Sequence, residues 1–229
     1  NKEGVIRLNI DIKKRIEDLN NKVSDKVKII AVSKTKPIED MEVAYNCGIR
    51  DFGENKVQEI LSKYDNFHKD VRWHLIGHLQ TNKVKYIVGK VSLIQSLDSI
   101  NLLKKIDKVY GNNGKIANVL IQINIGREEQ KYGILEEDLD ELLQEIEKCE
   151  FVRAKGIMVI IPKGNTKENR MYFKRTYDIY NRLKTKSYKN TTMNILSMGM
   201  SGDYEVAIEE GSNMIRIGQG IFGKRDYNN

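Results

Sequence analysis

Cysteine and proline are scarce in this chain, with two of each among 229 residues. Cys47 and Cys149 stand far apart with no further ligand at metal spacing, which argues against a disulfide framework or a cysteine metal centre and leaves buried or half-buried thiols. So little proline, and no stretch of biased composition, leave no linker; the length suits one large α/β domain. Long apolar runs are missing too. None approaches the length of a membrane helix, and the first residues lack the zones of a secretory signal, so a reducing cytoplasm is the expected setting. Charge of one sign is not segregated. Lys and Arg exceed Asp and Glu by 39 to 32, a net +7. Yet Lys13, Lys14 and Arg15 run straight into Glu17 and Asp18, the pattern of a solvated helix face. The densest basic segment, 182–189, has Tyr188 as its one aromatic and matches no binding motif, so neither nucleic acid nor a membrane is an expected partner.

What is present is alternation. A leading helix is expected over residues 1–24, with the apolar stripe Val5, Leu8, Ile12, Ile16 and Leu19. From Val27 onward short apolar runs alternate with amphipathic ones. Strands are expected at 29–32, 49–53, 72–77, 91–95, 117–125, 152–160, 194–198 and 214–218. Between them the pattern predicts helices from 38, over 56–64, up to 88, over 99–109, 136–149, 165–186 and 204–210. Eight such units in one domain predict an α/β fold of the (β/α)8 barrel type, with reacting groups at the carboxyl ends of the strands and the leading helix completing the outer ring. The rival, an open doubly wound sheet, lacks the Gly-x-Gly-x-x-Gly turn after its first strand.

Polar residues cluster where strands end. Lys34 closes the first strand; by itself it reads either as a solvated neighbour of Lys36 or as a partly buried amine with a lone pair available to a carbonyl. Ser201 follows the seventh strand, and Gly218 and Gly220 follow the eighth. Singly these are helix-cap and turn residues; on the two loops where barrels of this kind hold phosphate, they make an anion cradle. Arg216, inside the eighth strand, needs an acceptor, either a structural carboxylate or a ligand atom. Around a closed barrel the amine and the anion site become neighbours. That combination suits pyridoxal phosphate, an aldehyde and a phosphate on one small ring.

The ordered segments AVSKTKP at 31–37, FGENKVQE at 52–59, WHLIGHLQTNK at 73–83, LIQINI at 120–125, KYG at 131–133, GIM at 156–158, LSMGMS at 196–201, IRIG at 215–218 and IFGKRDY at 221–227 resemble the pyridoxal-phosphate homeostasis protein family across nearly the whole chain. The resemblance implies a fold-type III barrel like the amino-terminal domain of alanine racemase, with Lys34 as the Schiff-base lysine and pyridoxal 5'-phosphate as the cofactor. It places Asn55 beside that cofactor and Ser201, Arg216 and Gly218 around its ring nitrogen and phosphate, with Arg216 assignable to either. His74 is placed on the rim of the third strand, where a satisfied core histidine is the other reading. Met158 and Met200 are expected to pack around the pocket. The implied role is cofactor homeostasis, in which a monomeric chain buffers pyridoxal phosphate or delivers it to apo enzymes that use it. A racemase needs acid/base groups on both faces of its substrate, and in alanine racemase a tyrosine from a second domain supplies one. The sequence leaves no residues for that domain, so robust catalysis is not expected; a weak amino-acid racemase is the alternative.

Overall fold

Runs of Val, Ile and Leu without charge form strands that can be covered on both faces, and the interleaved amphipathic runs supply the helices that cover them. The computed structural model describes residues 2–224. Its strands are β1 (Lys28–Val32), β2 (Asp51–Glu54), β3 (Arg72–Leu75), β4 (Val91–Leu97), β5 (Ala117–Ile123), β6 (Val152–Val159), β7 (Thr191–Ser197) and β8 (Met214–Ile217). Each pairs in parallel with the next, and β8 returns to β1 through Lys28↔Met214, Ile29↔Ile215, Ile30↔Arg216 and Ala31↔Ile217. The barrel expected from the alternation is the one observed.

The helices are α1 (Lys2–Lys22), α2 (Ile38–Asn46), α3 (Val57–Tyr64), α4 (Ile100–Asn112), α5 (Leu139–Glu147), α6 (Thr166–Lys184), α7 (Tyr204–Glu209) and α8 (Gln219–Phe222). Local chemistry starts several of them. Ser99 accepts from the Leu102 amide at the head of α4, and Asn165 and Glu168 form a reciprocal capping box on α6. Because α8 is a single turn, α1 completes the outer ring by packing against α2 and α8. Of its stripe, Ile12, Ile16 and Leu19 are buried, while Val5 (57%) and Leu8 (37%) are exposed beyond the barrel wall.

Three expected boundaries move for physical reasons. Strand β7 starts at Thr191, ahead of the apolar run, because Thr191 pairs with Ala154 before a bulge shifts the register at Gly156. The acidic residues Glu136 to Asp138, expected within one long helix, form a separate 3-10 turn, with Glu136 drawn to Arg175 and Glu137 to Arg127. The short helix after β3 is likewise a 3-10 turn, Thr81–Tyr86. Asn1 of the leading helix and residues 225–227 of the last motif lie outside the described residues.

Alternate strand residues face opposite sides of the sheet. The outward set packs under the helices in one large core that includes Phe52, Trp73, Leu103, Leu142, Phe173 and Ile215. Inside the barrel, Ile30, Leu93, Leu120, Met158 and Met214 form a separate small cluster. The β6 bulge tolerates no side chain at Gly156, where a Cβ would stand 1.7 Å from the Ile195 carbonyl oxygen. Gly156→Ala is therefore expected to cost about 3 kcal/mol or more, since strand backbone cannot yield as a flexible side chain can. Urea denaturation of the variant measures this; an unchanged midpoint would show that the bulge adjusts.

Candidate functional site

The end of β1 makes an unusual turn. Buried Ser33 donates its amide to the Gly53 carbonyl (3.0 Å), and the Lys36 amide returns to the Ser33 carbonyl (3.0 Å), leaving Lys34 and Thr35 at the corners. Thr35 has φ +65°, a left-handed conformation unfavourable for a β-branched residue. Its amide donates to Glu59 Oε2 (2.8 Å), so a carboxylate from α3 holds the strained corner in place. Behind it, on the helix side of the barrel, Ser33 Oγ and Lys63 Nζ both donate to Glu54 Oε1 (each 2.7 Å), and Lys63 also donates to the Ser33 carbonyl (2.9 Å). Burial raises the Glu54 carboxyl from its ordinary 4.5 to about 7, against the attraction of Lys63 and the bond from Ser33.

The opposite wall comes from β7 and β8. Arg216 is 2% exposed; its Nη1 donates to Ser197 Oγ (2.5 Å) and its Nη2 to the Val159 carbonyl (2.8 Å). Neither is a carboxylate, and burial pushes its pKa down to about 10, with Asp203 opposing. A buried guanidinium held by neutral acceptors keeps attraction to spare for an anion or a lone pair. In the neighbouring loops, Ser201 Oγ accepts from the Gly220 amide (3.0 Å), and a Cβ on Gly220 would approach Ile217 to 2.8 Å. The same Cβ would stand 3.3 Å from Ser201 Oγ, so a larger residue would press on both Ile217 and the facing serine. Asp203 accepts from the Met200 amide (2.7 Å), and burial raises its pKa.

These elements enclose a cavity of about 830 Å³ at the carboxyl ends of the strands, a size suited to a small-molecule ligand. Lys34, Asn55, Met200, Ser201, Arg216 and Gly218 all line it, with Lys34 half-buried. Lys36, Lys163, Asp203 and Lys224 line it as well. His74 does not. It lies within the barrel between Asp51 Oδ1 (2.9 Å) and Gln95 Nε2 (3.0 Å), the satisfied core histidine of the two readings. Met158 belongs to the barrel interior, whereas Met200 is half open to solvent at the cavity edge.

Residues 10–226 match the family described as alanine racemase, N-terminal domain. A pyridoxal phosphate homeostasis protein of Aquifex aeolicus is 45% identical over 87% of this chain and 88% of its own length. This chain belongs to the pyridoxal phosphate homeostasis protein family. A second member, from Helicobacter pylori, is 40% identical over 86% of the chain and 87% of its own. Among solved structures, PipY of Synechococcus elongatus with PLP bound superposes with a TM-score of 0.85 at 32% identity, covering 93% of this chain and all of PipY. Alanine racemase of Clostridium difficile shares the fold, with a TM-score of 0.73 at 15% identity, and the match covers 57% of it.

In this family member, several site residues escaped the reading of the sequence. Ser197 and Gln95 carried a signal, each a polar residue in step with the inward positions of an otherwise apolar strand. Glu54 and Lys63 carried none, since their pairing depends on how α3 leans on β2. A carboxyl raised in the folded state contributes stability that is full below its unfolded pKa and is lost as pH rises through the folded value. For Glu54 the window runs from about 4.5 to about 7. Between pH 5 and pH 8 the wild type should therefore lose about 1–3 kcal/mol relative to Glu54→Gln in urea denaturation. A constant difference between the two would mean that Lys63 keeps Glu54 ionised throughout.

Proposed function

We propose that this chain binds pyridoxal 5'-phosphate in the cavity at the carboxyl ends of its strands, holds it through Lys34, and buffers it or delivers it to apo enzymes. The observation that carries this reading is the meeting, in one cavity, of half-buried Lys34 with buried Arg216 and the Ser201 and Gly218 loops. The names of the curated relatives and the PLP-bound PipY structure support it. When bound, the cofactor supplies an aldehyde that condenses reversibly with an amine.

The residues present fit such a group. The strained Ser33 to Lys36 turn presents the amine from one wall, and the loops after β7 and β8 offer a hydroxyl and backbone amides suited to a phosphate. Arg216 then serves either the phosphate or the ring nitrogen. At the ring nitrogen a guanidinium donates and cannot accept, which keeps that nitrogen unprotonated and disfavours the electron withdrawal that carbanion chemistry requires. This favours a carrier over a catalyst.

Visible absorption on titration with pyridoxal phosphate tests the assignment. Wild-type protein should develop the band of the lysine-linked cofactor, and Lys34→Ala should lose it. An unchanged band in the variant would move the linkage elsewhere, with Lys36 the first alternative. Arg216→Met should weaken binding at least about tenfold, as expected for loss of a charged partner. Asp203, a cavity carboxyl whose pKa burial raises, favours a second reading as a weak amino-acid racemase. Incubation of the loaded protein with L-alanine and chiral detection of the product decides between them: accumulating D-alanine supports the racemase, and its absence supports the carrier.

A further inference from the structure

Below the cavity floor, hydrogen bonds run through the barrel to its opposite mouth. Arg216 Nη1 donates to Ser197 Oγ, and Ser197 Oγ donates to Gln95 Oε1 (2.7 Å). Gln95 Nε2 lies 3.0 Å from His74 Nδ1, and His74 Nε2 lies 2.9 Å from Asp51 Oδ1. Asp51 opens β2, where Arg72 holds it through two bonds (2.7 and 2.9 Å) and Lys28 approaches to 3.6 Å. Asp51, His74, Gln95 and Ser197 are all buried.

The chain has a direction, and the side chains enforce it. The second contact of Gln95 Nε2 is Met214 Sδ at 3.3 Å, and a thioether only accepts. The amide nitrogen of Gln95 therefore faces Met214 and His74, and its oxygen faces Ser197. His74 Nδ1 must then accept, which puts the proton on Nε2, facing the Asp51 carboxylate. With its own hydrogen given to Gln95, the Ser197 hydroxyl presents only lone pairs to Arg216. Every donor points from the cation at the cavity floor toward the carboxylate at the far mouth, an alignment in which successive bonds polarise one another.

We propose that Asp51, His74 and Gln95 are positioning residues for the cofactor site: by dictating the direction of the Ser197 hydroxyl, they fix the Arg216 guanidinium at the cavity floor. None of the three lines the cavity. The inference rests on pyridoxal phosphate being the ligand that Arg216 meets.

Two measurements test it. In cofactor-free protein, nitrogen-15 NMR of the imidazole should find His74 neutral with its proton on Nε2; a proton on Nδ1 overturns the proposal. In titrations with pyridoxal phosphate, Gln95→Met should weaken binding about three- to tenfold and shift the visible band, yet add nothing to the loss already produced by Arg216→Met. Asp51→Asn, the remote variant and the one to rely on should Gln95→Met not fold, should show a smaller loss of about threefold with the same non-additivity. A core substitution off the chain, Leu97→Ala, should lower the melting temperature and leave affinity unchanged. Wild-type affinity in Gln95→Met or Asp51→Asn, or losses additive with Arg216→Met, overturns the inference while the cofactor reading stands. Failure of the wild type to bind pyridoxal phosphate removes both.

Discussion

The return of β8 to β1 is the constraint on which the site depends. Four register pairs, from Lys28↔Met214 to Ala31↔Ile217, bring the first and last strands of the chain side by side. In an open sheet of the same strand order these would be its two edges, and Lys34 and Arg216 would lie a whole sheet apart. Closure makes them two walls of one cavity, so near that a Cβ added at Gly218 would meet Val32 at 3.4 Å. On the other side of β8, β7 pairs at Ser197↔Met214, and Arg216 reaches across that seam to Ser197 and to the Val159 carbonyl at the end of β6. Closure thus both creates the site and supplies the acceptors that make a buried arginine tolerable.

Buried polar groups support this site from both sides of the barrel wall. On the helix side, Glu54, Lys63 and Ser33 brace the turn that carries Lys34. Within the barrel, the bonds from Arg216 to Asp51 run beside the apolar cluster of Ile30, Leu93, Leu120, Met158 and Met214, with Gln95 touching Met214. Each group would be costly without a partner, and hydrophobic replacements of similar volume are often no less stable. Their placement under a cavity, together with a threonine in a left-handed conformation beside Lys34, is the pattern of structure held under strain for a site.

Much of the fold was legible because alternation of apolar runs is a local property. The eight strands, the order of the helices and the polar strand ends follow from burial that each segment needs wherever it packs. What was misplaced depended on distant residues. Thr191 and Thr192 look like loop, yet β7 begins there because β6 offers a partner before its bulge. For His74 two readings stood open, and its neighbours Asp51 and Gln95, contributed by other strands, place it in the barrel interior.

By itself the sequence determined the α/β class and the barrel, and with them the placing of Lys34, Ser201 and Gly218 where strands end. These properties are set by composition and period, which need no knowledge of neighbours. Tertiary structure alone decided that His74 sits between Asp51 and Gln95, that Arg216 meets Ser197 and the Val159 carbonyl, and that Gln95 turns its oxygen to Ser197. Each of these rests on a distance or a direction between residues far apart in the chain, and only the packed barrel sets those.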